Sequence, residues 1–162
     1  MGQEIERKFL VKGDDWRDGT KPAHTCQGYL LSGTNCTVRV RLMDEQAFLT
    51  VKGQSEGIRR LEYEYEIPAA DAKEILTLLC MKPCIEKNRY KVTYAGTKWE
   101  IDEFLKDNEG LVVAEVELES EGQLVELPPW VSEEVSDDPR YGNYNLVKQP
   151  FSRWRKVEKP GS

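Results

Sequence analysis

Histidine is nearly absent from this chain: His24 is the only one in 162 residues. Unless His24 serves, that excludes hydrolases carrying their own Ser/His/Asp triad, most zinc enzymes and phosphohistidine chemistry. His24 itself reads as a solvated strand-edge residue. Cysteine is sparse as well, with Cys26, Cys36, Cys80 and Cys84. Cys80 and Cys84 are close in sequence, but no second close pair or histidine partner accompanies them, so the four read as buried free thiols rather than a zinc site. No apolar run approaches the ~20 residues of a membrane-spanning helix. The N-terminus has no apolar signal-peptide core, which makes the cytoplasm the default location. The net charge of −6 argues against a general nucleic-acid or anionic-membrane binder and leaves room for a local basic site. There is no tandem repeat or low-complexity tract. The length suits one domain with a sizeable core, spanning 1–157, with 158–162 as a loose tail.

What the chain does have is charge, 32% of residues against the usual quarter, and the charge is ordered. In the stretch Gln3 to Val11, a period of two puts Glu4, Glu6 and Lys8 on one face and Ile5, Phe9 and Val11 on the other. The pattern recurs. Arg39 and Arg41 oppose Val38, Val40 and Leu42; Lys52 shares a face with Phe48 and Thr50. Arg60, Glu62 and Glu64 oppose Leu61, Tyr63 and Tyr65; Lys87 and Arg89 oppose Asn88 and Tyr90. Asp102 opposes Trp99 and Ile101; Glu115 and Glu117 oppose Ala114 and Val116. The expected strands are 3–11, 24–31, 36–42, 47–52, 58–67, 85–94, 98–104 and 111–119. Pro68 opens a helix with Ala72, Ile75, Leu76 and Leu79 at helical spacing, and Pro83 stops it. Pro128-Pro129 ends the strand series. Ser132-Glu133-Glu134 then reads as a helix N-terminus, followed by short helical or irregular segments.

Eight strands joined mostly by short turns give an α+β fold that is mainly antiparallel β. A water-facing exterior explains one charged face easily. It explains nearly all of them poorly, because acidic and basic side chains segregate by strand. The alternative is a closed barrel with the charges in its lumen and its apolar faces outside, covered by helices or a partner subunit. Buried charge is tolerable when opposite charges pair, or when a polyvalent ligand with metal completes the balance. The basic wall would be Lys8, Arg39, Arg41, Lys52, Arg60, Lys87 and Arg89. The acidic wall would be Glu4, Glu6, Glu62, Glu64, Asp102, Glu115 and Glu117. Guanidinium and ammonium groups bind phosphate oxygens, and hard carboxylates bind Mg²⁺ or Mn²⁺. Together they suit a metal-bound polyphosphate.

Glu4-Ile5-Glu6-Arg7-Lys8 resembles the Glu-x-Glu-x-Lys signature of the CYTH superfamily, the triphosphate tunnel metalloenzymes. Arg39-Val40-Arg41, Lys52, Arg60-x-Glu62-x-Glu64, Lys87-x-Arg89, Asp102 and Glu115-x-Glu117 follow in that family's order. The resemblance runs over roughly residues 2 to 150. It implies an eight-stranded antiparallel tunnel that binds triphosphates with Mg²⁺ or Mn²⁺. Glu4, Glu6, Glu115 and Glu117, joined by Asp102, would hold metal. Lys8, Arg39, Arg41, Lys52, Arg60 and Arg89 would hold phosphates. Glu62 and Glu64 would either bind metal or pair with lumen arginines. Lys87 and Tyr29 match a lysine and a tyrosine that act near the scissile phosphate in the family's bacterial tripolyphosphatases. The implied activity is hydrolysis of inorganic tripolyphosphate to diphosphate and phosphate. The alternatives are an adenylyl cyclase, a thiamine or nucleoside triphosphatase, and a non-catalytic polyphosphate- or nucleotide-binding module. The expected partner is a small triphosphate, not nucleic acid or membrane, and the uncovered outer faces make a homodimer plausible.

Overall fold

A computed structural model describes residues 2–17 and 19–154; the expected 158–162 tail lies outside them. The strands are β1 (Gln3–Val11), β2 (Ala23–Ser32), β3 (Cys36–Met43), β4 (Gln46–Gly53), β5 (Arg59–Ile67), β6 (Ile85–Tyr94), β7 (Thr97–Phe104), β8 (Val112–Glu117) and β9 (Val131–Glu134). Among the described residues there are two α-helices: α1 (Ala69–Leu78) lies between β5 and β6, and α2 (Asn143–Lys148) follows β9. The sheet order is β5-β4-β3-β2-β6-β7-β8-β1-β9, and β1 also pairs with β5. That last pairing closes an eight-stranded antiparallel barrel, as the sequence predicts.

β9 is a departure from the expected helix start. On one edge of β1, Gln3 to Ile5 pair with β5. On the other, Glu6 to Leu10 pair with β8. Closure therefore leaves the later part of the first edge open, and β9 fills it, with Phe9 opposite Glu134 and Val11 opposite Val131. Val131 is buried, and Arg7 donates to both Glu134 oxygens at 2.8 and 3.0 Å. An unpaired strand edge outweighs the weak N-cap signal of Ser132.

The apolar faces pack on the outside of the barrel. Phe9, Trp99 and Trp130 meet in series, tilted and then edge-on, with centroids 5.7 and 5.5 Å apart. Trp16 meets Tyr90 edge-on at 4.9 Å. Ala72 and Leu76 of α1 bury against Val40 and Ala47. The helix ends at Leu78, so Leu79 lies beyond the apolar stripe and is exposed rather than packed. The outer face of β5 is uncovered, with Leu61, Tyr63 and Tyr65 exposed. His24 is exposed, but β2 has a neighbour on each side, so it is not at an edge; its Nε2 lies 3.2 Å from Glu86. Of the four free cysteines only Cys80 is fully buried. Among the described residues no helix is long and apolar enough to cross a membrane.

Candidate active site: a charged tunnel

Alternation dictates the lumen. On each strand the residues in phase with Glu4, Arg39, Lys87 or Glu115 turn inward, and they enclose a cavity of about 510 Å³. Every site residue named from the sequence lines it except Asp102. One end is plugged. Continuing in the same phase, Ile85, Phe104 and Val113 are apolar and pack with Val135, Tyr141 and Leu146 of the C-terminal segment. The tunnel is therefore charged along its length and stopped by an apolar floor.

Most of the lumen cations have carboxylate partners. Lys52 lies 3.3 Å from Glu4 and 3.2 Å from Glu62. Arg41 and Arg39 lie 3.3 and 3.9 Å from Glu64, which also accepts from Thr50 Oγ1 at 2.8 Å. Arg60 instead donates to the Gly53 carbonyl at 2.8 and 3.1 Å. Burial, with Arg39 and Arg89 close by, pushes the Arg41 pKa down. A polyanion entering this wall relieves that crowding.

The acidic wall is crowded in the opposite sense. Glu6 is held well above the ordinary carboxylate range by burial, then by Glu115 and Glu4. Burial also raises Glu4, against the pull of Lys52. Glu115 is deeply buried, yet Lys8 at 3.9 Å, a hydrogen bond from Glu6 and Arg89 at 3.2 Å together hold it well below the usual range. Glu117 is largely exposed, and partial desolvation, then Glu62 and Glu100, raises its pKa. Glu6 and Glu115 thus crowd one another, and a hard divalent cation between such carboxyls would relieve that repulsion.

Among the described residues no three His, Cys or carboxylate side chains are gathered tightly enough to enclose a metal ion alone. Mg²⁺-type ions take one or two carboxylates and complete their shell with waters and substrate phosphates, and Glu4, Glu6, Glu115 and Glu117 are hard oxygen donors of that kind. The donor set fits such an ion.

Asp102 lies beneath the lumen surface, 2% exposed. One of its oxygens accepts from Arg89 Nε at 2.8 Å; the other accepts from Arg89 Nη2 at 2.9 Å and faces Lys87 Nζ at 2.8 Å. Its pKa is lowered because Arg89 and Lys87 outweigh its burial. Lys87 is 1% exposed, and burial brings its pKa down to about 8 although Asp102 opposes the shift. Lys87 Nζ also donates to Asn143 Oδ1 at 3.1 Å. Tyr29 is buried and meets Tyr144 edge-on at 5.3 Å.

Asn143 and Tyr144 are additions from α2, and both line the cavity. Strand alternation cannot reveal them, because α2 reaches the lumen only through the apolar floor. Tyr141 contributes a backbone carbonyl that accepts from Lys8 at 3.3 Å. Glu100 also lines the cavity and lies 3.4 Å from Arg89.

A closed antiparallel barrel with an acidic and a basic wall inside defines a class, and comparison with known proteins agrees. The CYTH domain matches residues 2–143, and the chain belongs to the CYTH family. It is 52% identical over 155 residues to a protein of Acetivibrio thermocellus named inorganic triphosphatase, covering 96% of this chain and 99% of the relative. It is 37% identical over 149 residues to a Nitrosomonas europaea protein of the same name, covering 89% and 96%. Among solved structures, that of the inorganic triphosphatase NE1496 superposes with a TM-score of 0.63 at 34% identity, covering 88% and 96%.

Proposed function

We propose that this protein is a metal-dependent inorganic triphosphatase that hydrolyses tripolyphosphate to diphosphate and phosphate inside the tunnel. The observation that carries this reading is the separation of charge across one 510 Å³ lumen. Cations suited to phosphate oxygens face a crowded set of carboxyls suited to a hard divalent metal. The inorganic triphosphatase name of two relatives that each cover nearly all of this chain supports the same substrate class.

Lys8, Arg39, Arg41, Lys52, Arg60 and Arg89 bind the phosphate chain, releasing Glu64 and Glu62 from their present ion pairs as they do so. Glu62 and Glu64 act here as partners that hold the basic wall in place. Glu4, Glu6, Glu115 and Glu117 would hold Mg²⁺ or Mn²⁺. When bound, the metal neutralises phosphate charge and lowers the pKa of coordinated water. Lys87 sits at the closed end, aimed by Asp102 and Asn143, where it donates hydrogen bonds to the terminal phosphate and offsets charge as the bond to the leaving diphosphate breaks. Asp102, with both oxygens taken, positions Lys87 and Arg89 rather than ligating metal. Tyr29, braced by Tyr144, orients the same phosphate. The apolar floor stops the chain and favours attack at a terminal phosphorus.

The four free thiols suit a reducing compartment such as the cytoplasm. A homodimer would cover the exposed face of β5. One incubation tests the function. Tripolyphosphate, ATP and thiamine triphosphate are each offered with Mg²⁺ or Mn²⁺, with a chelator control, and phosphate, diphosphate and cyclic AMP are measured. Fast, chelator-sensitive release of phosphate from tripolyphosphate is expected. Preferential turnover of ATP or thiamine triphosphate, or cyclic AMP as product, would replace this reading.

A further inference from the structure

Outside the lumen, three of the four cysteines meet at one point that the tunnel chemistry does not use. β2 and β6 pair with Cys26 opposite Glu86 and Gln27 opposite Ile85. That register carries Cys84, just before β6, to the level of Gly28. The missing side chain of Gly28 is what makes room. A Cβ there would stand 2.9 Å from Cys80 Sγ and 3.2 Å from Cys84 Sγ. The two sulfurs are thus no farther apart than those distances laid end to end. Cys26, two residues before Gly28 on the same face, packs in the same cluster as Cys84, whose Sγ donates to the Leu76 carbonyl at 3.8 Å. All three lie in the cluster under the C-terminal end of α1, where Leu76 and Ala72 pack.

Cys84 differs from its neighbours. It is only half-buried, and it lines a second cavity of about 220 Å³ together with Lys82 and Lys106. Lys82 Nζ lies 3.9 Å from its sulfur. The Cys26 thiol, helped by Lys82 against the effect of burial, brings its pKa down to about 6. The same contact pushes Cys26 up. A half-buried thiol that faces a lysine, with further thiols packed beside it, is an arrangement that oxidises at one sulfur and resolves at another.

We propose that Cys84 is a modification site for hydroperoxides, oxidised to the sulfenic acid and then closed into a disulfide with Cys26. In the first step the Cys84 thiolate attacks the peroxide, forming an S–O bond as the O–O bond breaks. Sulfur loses two electrons, the peroxide is reduced, and the alkoxide or hydroxide released takes up a proton. In the second step the Cys26 sulfur attacks the Cys84 sulfur. The S–S bond forms, the S–O bond breaks, and the departing hydroxide leaves as water with the Cys26 proton. The bridge ties the strand that carries Tyr29 to the strand that carries Lys87. A cytoplasmic dithiol reverses it by exchange.

The test uses the wild-type protein, reduced, freed of reductant and given one equivalent of hydrogen peroxide. Remaining thiols are then alkylated and the protein is mapped by non-reducing peptide mass spectrometry. The expected product is a linked pair of peptides holding Cys26 and Cys84, reversed by dithiothreitol, with Cys36 alkylated throughout. In Cys26→Ser the sulfenic acid at Cys84 should persist and be trapped by dimedone. Cys84 alkylated as freely as Cys36 after peroxide would overturn the proposal. So would a bridge between Cys84 and Cys80, or sulfinic acid at Cys84 without any link to Cys26. None of these outcomes depends on the activity in the lumen.

Discussion

Replacing Lys87 with Met removes the buried cation at the closed end while nearly keeping its volume. Two effects follow, and the structure separates their sizes. For stability, breaking a buried pair ordinarily costs about 3–5 kcal/mol because one charge is left uncompensated. Here Asp102 keeps both hydrogen bonds from Arg89, at 2.8 and 2.9 Å. The loss is therefore nearer that of one charged hydrogen bond, about 1.5–3 kcal/mol. For a chain of this length that is a fall in Tm of roughly 3–12 °C, which leaves a folded protein at 25 °C. For catalysis, losing one preorganised donor to a developing oxyanion costs about 10²–10³ in kcat, or roughly 2.7–4 kcal/mol. KM for tripolyphosphate should move much less, because six other cations remain on the wall. Phosphate release under steady state, alongside circular dichroism melting, reads both. A folded Lys87→Met protein with kcat within a few-fold of wild type would refute the role of Lys87. A large rise in KM at unchanged kcat would make it only one more phosphate anchor.

Other consequences are checked as simply. Adding Mn²⁺ with a slowly hydrolysed triphosphate at 100 times its Kd should stabilise the fold by about 2.7 kcal/mol, or roughly 5–11 °C in Tm, by linkage and chain size; differential scanning fluorimetry reads it, and Glu6→Gln with Glu115→Gln should abolish the metal-dependent part. Asp102→Asn should lower kcat while leaving the metal concentration for half-maximal rate nearly unchanged, whereas a metal-ligand role predicts a large rise in that concentration. Alkylation of Cys84 should track its thiolate, which is present above its lowered pKa of about 6 and lost as pH falls through it. Its iodoacetamide rate should therefore level off by pH 7, while that of an unperturbed thiol is still climbing at pH 8. Tyr63→Glu with Tyr65→Glu on the exposed face of β5 should shift any dimer to monomer in analytical ultracentrifugation.

Much of this architecture is legible in the sequence because a strand has a period of two. Glu4, Glu6 and Lys8, or Arg39 and Arg41, declare a face wherever the chain is extended. Segregation of acid from base by strand says that the faces meet. Phase gives the face but not the depth. Asp102 is in phase with the acidic wall, yet Lys87 and Arg89 reach over it and take both of its oxygens. Nor does alternation tell which strands pair. The crossing from β5 through α1 to β6 puts Cys84 beside Cys26, and nothing local in either segment announces it. β9 escaped because four residues, three of them polar, show no strand pattern; an unpaired edge of β1 recruits them. Asn143 and Tyr144 sit in a short helix whose place depends on Leu146 finding the apolar floor. That is a tertiary fact with no periodic signal.

Whether one lumen holds metal on its acidic wall and a triphosphate on its basic wall is decided by a crystal structure with Mn²⁺ and a non-hydrolysable tripolyphosphate analogue, read by manganese anomalous scattering. An anomalous peak is expected between Glu6 and Glu115, with phosphates on Arg39, Arg41 and Lys52, and a terminal phosphate within hydrogen-bonding distance of Lys87 Nζ. Manganese bound only outside the tunnel, or a phosphate chain that leaves Lys87 and the basic wall untouched, would contradict that arrangement.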